Sequence, residues 1–219
     1  MIRPDNRLRA IALCVRDKVT LYDVGTDHGY LPVFLVKSGR TERAVASDIA
    51  PGPLSRAEKV IRENGLGDSI KTVLTGGLEG ITLSAPCDIV IAGMGGDTIC
   101  SIIGDKPEVK NEGVRLVLQP MTKQYELRKY LCENGFAIEK ETLAKTDRIY
   151  QIITAFFDGK KRNASPAELF LGSFDGELRN EYLLTRREML LSIKSGKEKA
   201  GIDCSFEDGI IRRIEELLK

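Results

Sequence analysis

Histidine is the scarcest chemistry-bearing residue of this 219-residue chain, present once as His28, and no two of its five cysteines form a C-x-x-C pair. These shortages exclude a His-based metal cluster and a zinc knuckle, so no metal site is expected. Cys14, Cys87, Cys100, Cys132 and Cys204 are odd in number and far apart, which argues against a disulfide framework and for a reducing cytoplasm. Nowhere do about 18 apolar residues run together, and the opening residues MIRPDNRLRA lack the apolar core of a signal peptide. A cytoplasmic, soluble protein with no membrane partner is expected. A formal charge of +1 leaves little long-range electrostatic attraction, so a nucleic-acid partner would be held by local patches. The sequence does not fix the oligomeric state, a monomer being slightly favoured.

What is present is alternation. Apolar runs predict strands over residues 19–24, 43–48, 70–74, 88–92, 114–119, 136–141 and 150–157. Between the early runs lie predicted helices: Tyr30 to Ser38, Leu54 to Asn64 with Gly65 as its stop, and Gly96 to Ile103. Thr122 is placed to cap a further helix carrying Leu127, Tyr130 and Leu131 on one face. This order predicts an α/β fold, a mostly parallel sheet wrapped by helices. The last two strands follow one another across a loop from Glu141 to Ile149, which predicts an antiparallel pair at the sheet edge.

The chain divides at a polar linker, Gly159 to Asn163, giving a domain over residues 1–158 and an appendage over 159–219. Ser165-Pro166-Ala167-Glu168 reads as a capping box with proline at the first helical position. From there Phe174, Leu178, Tyr182, Thr185, Met189 and Ile193 form one apolar stripe. Phe206, Ile210, Ile214 and Leu217 repeat it after a polar break at residues 195–203. An antiparallel helical hairpin is expected, its stripe packed on its own return leg or on the domain.

The stretch LYDVGTDHGYLP carries the chemistry. A glycine closing the first strand is where such folds bring backbone against a ligand. A dinucleotide site of the form G-x-G-x-x-G needs a second glycine for the pyrophosphate, and here that position is Asp27. Opposing charges of like sign about 4 Å apart cost on the order of 4 kcal/mol at an effective dielectric near 20. The same carboxylate favours a cationic ligand without phosphate, S-adenosylmethionine. Asp48 ends the second strand where an acid reaches ribose hydroxyls, or serves as a turn cap. His28 reads as a turn residue orienting the loop more readily than as a general base. Ala92-Gly93-Met94-Gly95-Gly96 closes the fourth strand at the same edge, permitting close approach of donor and acceptor or simply making a tight turn.

The segments DVGTDHGYLP, SDIAPGPL, GGLEG, IAGMGG, and LVLQP followed by LRKYL, in that order and spacing, resemble the bacterial tRNA adenine-N1 methyltransferases that act on adenine twenty-two. The resemblance spans about Leu8 to Phe157. It implies a Rossmann-like class I methyltransferase domain with a coiled-coil-like C-terminal hairpin, S-adenosyl-L-methionine as cofactor and tRNA as partner. It also implies donor contacts at Asp23, Gly25, Asp27 and His28, a ribose contact at Asp48, the Gly76-Gly77-Leu78 loop along the donor adenine, and Gly93 and Met94 near the methyl group. Two positions depart from the family. The third loop usually reads Gly-Asp-Gly-Leu where this chain has Thr75-Gly76-Gly77-Leu78, and Leu-Gln-Pro-Asn ends here in Met121.

Adenine N1 carries an in-plane lone pair, so transfer needs collinear alignment and little acid–base chemistry. Asp27 is the candidate catalytic acid that offsets charge developing on the base. N1 lies on the Watson–Crick edge, so the target must be unpaired. Arg7, Arg9, Lys160-Lys161-Arg162 and Arg186-Arg187 are candidates for phosphate contacts, or plain solvated charges. The competing readings are a small-molecule methyltransferase, a non-catalytic RNA-binding protein with a degenerate donor site, and an NAD-binding oxidoreductase, which Asp27 disfavours.

Overall fold

The computed structural model describes residues 4–219. Helix α1 (Asn6–Cys14) leads into strand β1 (Thr20–Val24), helix α2 (Tyr30–Lys37), strand β2 (Ala44–Asp48), helix α3 (Pro51–Glu63) and strand β3 (Ile70–Leu74). Strand β4 (Cys87–Gly95), helix α4 (Gly96–Gly104), a 3-10 turn at Pro107–Lys110, strand β5 (Val114–Thr122) and helix α5 (Gln124–Glu133) follow. Strands β6 (Phe136–Lys145) and β7 (Ile149–Phe157) complete the sheet, and helices α6 (Pro166–Leu171), α7 (Leu178–Lys199) and α8 (Ser205–Leu217) form the tail.

The sheet order is β3-β2-β1-β4-β5-β7-β6. Strand order reverses between β1 and β4, which pair in parallel with Asp23 opposite Val90, so the crevice outside their carboxyl ends is the expected ligand position. Apolar residues cover both faces because the central strands are buried on both sides. Tyr22, Ile89 and Ile91 pack under α4 and α5 through Ile99, Ile103, Leu127 and Leu131. On the opposite face Leu21, Val90 and Val117 meet Ile11 of α1, Leu31 and Leu35 of α2 and Ile61 of α3.

The last two strands are antiparallel, as expected, but the loop read at Glu141–Ile149 is a three-residue bend at Thr146, Asp147 and Arg148, because both strands extend into it. Strand β6 is the edge and β7 lies inside it. Thr122 is not a cap: it is the last residue of β5, and Lys123 precedes α5 at φ 60° with no side-chain cap bond. Helix α1 was outside the expected set. It is short, and Asp5 caps it by accepting from Leu8 N at 2.7 Å.

The capping box at Ser165 is present. The helix it starts ends at Leu171, since Gly172 sits at φ +72°, where a Cβ would overlap the Arg128 guanidinium. Arg128 is 2% exposed. It pairs with Glu141 at 2.7 Å and donates to Leu169 O and to Gln151 Oε1, tying α5, the sheet and α6 together. Helices α7 and α8 then run antiparallel, with Lys194–Asp208 at 2.5 Å and Lys197–Glu207 at 2.8 Å across them. The buried stripe of α7 is Tyr182, Leu183 and Leu190, while Met189 and Ile193, expected in it, are exposed. The polar break begins later than expected because α7 continues to Lys199. No described helix is long and apolar enough to cross a membrane.

Candidate functional site

Strand β1 delivers Asp23 to the carboxyl edge, 6% exposed, where its Oδ2 accepts from Thr26 Oγ1 at 2.6 Å. Burial pushes the Asp23 carboxyl up to about 6; the Thr26 hydrogen bond opposes the rise and the nearby Asp48 charge adds to it. Gly25 turns the chain at φ +73°, and the Met94 side chain from β4 lies across it so that a Cβ there would overlap Met94 Cε.

Asp27 follows at φ +51° with its side chain 60% exposed. Its Oδ1 accepts from Arg56 Nη2 at 3.0 Å, and its Oδ2 lies 3.5 Å from His28 Nε2. Solvent and Arg56 screen this carboxylate, so its repulsion of phosphate is weaker than expected for a site of effective dielectric near 20. His28 stacks on Tyr30 with centroids 5.1 Å apart, which fits an orienting loop residue. Among the described residues no cluster of three or more His, Cys, Asp or Glu could hold a metal.

Asp48 ends β2 with its carboxylate fixed by two backbone amides, Ala50 N at 3.0 Å and Asp27 N at 3.2 Å. It therefore braces the turn and also links the first loop to the second. In the third loop Gly77 has φ +71° and Leu78 is buried in the core, while Gly76 is exposed with space for a Cβ 3.4 Å from Ile49 Cδ1. An acid at position 76, as in the family pattern, thus fits sterically. Asp23 and Asp48 thus lie close together at the carboxyl ends of β1 and β2 with Asp27 in the loop that follows, and on the β4 side the Met94 side chain covers Gly25.

Beyond Met94 the edge changes character. Gly93 has φ +78°, and a Cβ there would lie 3.6 Å from Arg7 Nη1. Arg7, projecting from α1, donates from that nitrogen to Gln119 Oε1 at 2.8 Å. Gln119 is fully buried and its Nε2 donates to Pro120 O. Arg7 also lies over the Tyr150 ring at 5.7 Å, and Arg148 over the same ring at 4.9 Å. Tyr150, Arg148, Met121 and Arg186 line a cavity of about 610 Å³ between β5, the β6–β7 bend and α7.

The expected basic residues separate. Arg7 and Arg186 reach this edge; Arg187 instead points to Glu215 of α8 at 3.5 Å. The Lys160-Lys161-Arg162 linker lies at the opposite edge, because β7 runs antiparallel and ends beside Phe136 at the start of β6, and Arg162 is paired with Asp158 at 2.5 Å. Tyr150, Arg148 and the Gln119–Arg7 bond were missed by sequence reasoning. The signal available was the arginine and tyrosine of Asp147-Arg148-Ile149-Tyr150, which straddle the expected loop and the first residue of the expected last strand.

The sheet order and the glycine turns that end β1 and β4 at its reversal point define an α/β methyltransferase architecture. A family model described as "Methyltransferase domain" matches residues 5–153, and the chain belongs to that family. Within it, the chain is 29% identical over 155 residues to the tRNA (adenine(22)-N(1))-methyltransferase of Bacillus subtilis; the match covers 70% of this chain and 65% of that relative, so it spans less than two thirds of the relative's length. A Streptococcus pneumoniae structure, proposed to be a tRNA (m1A22) methyltransferase and solved with S-adenosyl-L-methionine, superposes with a TM-score of 0.82 at 29% identity, covering 100% of both chains. The B. subtilis m1A22 tRNA methyltransferase TrmK gives a TM-score of 0.81 at 25% identity, over 100% of this chain and 97% of that one.

Proposed function

We propose that this chain is an S-adenosylmethionine-dependent methyltransferase that modifies N1 of adenine 22 in tRNA, with the cytoplasm as its place of action. The observation that carries the reading is the position of Gly93. On one side of it lies the Gly25–Met94 seam; on the other lies Arg7, held over the Tyr150 ring that lines the cavity together with Arg148 and Arg186. Donor and acceptor sites so placed would meet at the end of β4.

S-adenosylmethionine supplies, when bound, a methyl group on a cationic sulfur. The chain's residues bind and align. Asp48 would receive the ribose hydroxyls, and the two amides that hold its carboxylate support that role. Asp23 and Asp27 supply negative potential for the donor's cationic groups, and Asp27 is also the candidate to offset charge developing on the base. The glycines keep Cβ atoms out of the line of approach, and alignment provides most of the acceleration because adenine N1 needs no deprotonation. The Watson–Crick edge must be free, so the adenine enters unpaired.

Thermal unfolding with either ligand tests the donor half of the reading. A ligand at a hundred times its Kd stabilises by about 2.7 kcal/mol. S-adenosylmethionine should raise Tm by several degrees and NAD should not; the reverse pattern would contradict the proposal.

A further inference from the structure

We propose that Arg7 and Arg148, both held against the ring of Tyr150, grip the RNA phosphodiester that flanks the target nucleotide. The inference rests on the tRNA reading above and assigns it a specific anchor.

Two arginines converge on one phenol ring at 5.7 and 4.9 Å, and neither makes an ion pair among the described residues. The nearest acid in sequence, Asp147, is engaged by hydroxyls instead: Thr146 Oγ1 at 2.6 Å and Tyr150 Oη at 2.9 Å both donate to its Oδ1. Those two bonds hold its carboxyl below the usual aspartate range, with a smaller contribution from Arg148. Asp147 therefore keeps a charge near Arg148 and partly offsets it, while fixing the Tyr150 ring on which both guanidinium groups lie.

Arg7 is further fixed from below. Gln119, with no exposure to solvent, spends its Oε1 on one Arg7 nitrogen and its Nε2 on Pro120 O. A buried amide oriented at both ends is a rigid support, and it leaves the other guanidinium nitrogens of Arg7 for a ligand. Besides its stacking on Tyr150, Arg148 makes a weak contact from its Nη2 to Met121 Sδ at 3.7 Å. Guanidinium groups restrained in this way suit phosphate oxygens better than a mobile ammonium does. Arg7 borders Gly93, so a phosphate held there places its own nucleoside at the end of β4, within reach of the methyl-transfer position.

Arg7→Gln, Arg148→Gln and the corresponding lysine variants of the intact chain, all without donor, would be compared with wild type by filter binding of unmodified tRNA across a salt series. Each glutamine variant should weaken tRNA binding about five- to tenfold and make the log–log salt slope shallower by about 0.7 to 0.9. The lysine variants should restore the slope while recovering affinity only in part. In steady state the glutamine variants should raise KM for tRNA and leave the Kd for S-adenosylmethionine, measured by calorimetry, unchanged. Wild-type affinity and slope in folded glutamine variants would overturn the clamp, as would an equal loss of donor affinity, which marks a merely structural role. If wild type itself methylates no tRNA, the functional reading fails, and the clamp with it.

Discussion

Met94 crosses the seam between β4 and β1 to lie directly over Gly25, occupying the space where any other residue would carry its Cβ. The contact joins the two loops on which the proposed donor site depends. At φ +73° an L-residue at position 25 costs about 1–2 kcal/mol from backbone strain alone.

Gly25→Ala should therefore stay folded with a lower Tm and bind S-adenosylmethionine at least about tenfold more weakly, because either the new methyl or the displaced Met94 side chain enters the crevice. Adding Met94→Ala should recover part of the affinity, since it removes the clash and leaves the strain. Calorimetric titration of the three proteins checks this, and wild-type affinity in Gly25→Ala would place the donor elsewhere.

Asp23 links stability to pH. Its carboxyl rises from 3.8 unfolded to about 6 folded, so between those values the folded chain holds more protons than the unfolded one. The group's contribution is intact below pH 4 and is lost as pH climbs through 6, by about 3 kcal/mol at most. Asp23→Asn, which retains an acceptor for Thr26, should raise Tm at pH 7.5, leave it unchanged near pH 4, and weaken donor binding. Equal stabilisation at both pH values would contradict the assignment.

Asp27→Asn tests the exposed acid of the same loop. Its pair with Arg56 is a surface contact worth at most about 1 kcal/mol, and asparagine tolerates φ +51°, so folding should be unaffected. Methyl transfer should fall about tenfold, equivalent to roughly 1.4 kcal/mol. Unchanged kcat/KM would remove Asp27 from the machinery.

Arg186 and Arg187, adjacent in sequence, should behave differently. Arg186 lies over Tyr182 at 5.2 Å and Phe170 at 5.7 Å beside the basic cleft, whereas Arg187 faces Glu215. Arg186→Glu should lower tRNA affinity several-fold and flatten its salt dependence. Arg187→Glu sets like charges across the hairpin, so it should lower Tm with little change in tRNA affinity. Filter binding and thermal melts separate the two, and identical effects on tRNA would contradict the geometry.

The parallel half of the sheet was legible because each strand is a short apolar run ended by glycine or a polar turn, as at Val24-Gly25 and Leu74-Thr75. Asp23, Gly25, Asp48 and Met94 could be placed at one edge for the same reason: the end of each parallel strand falls there. What sequence did not reveal comes from contacts between distant segments. Gly172 breaks the tail helix because the buried Arg128, 44 residues earlier, needs the space, and the stripe in α7 is set by α8 and the hairpin it packs on. The acceptor side was hidden likewise. Arg7 and Gln119 are 112 residues apart, and Tyr150, near the start of β7, meets Arg7 from a third distant segment.

The most direct test is methyl transfer from labelled S-adenosylmethionine to unmodified tRNA, followed by mapping of the modified base. The account predicts protein-dependent incorporation of one methyl at N1 of adenine 22, reduced in both Gly25→Ala and Asp27→Asn. Incorporation at another atom or nucleotide, or none with folded, donor-binding protein, would contradict it.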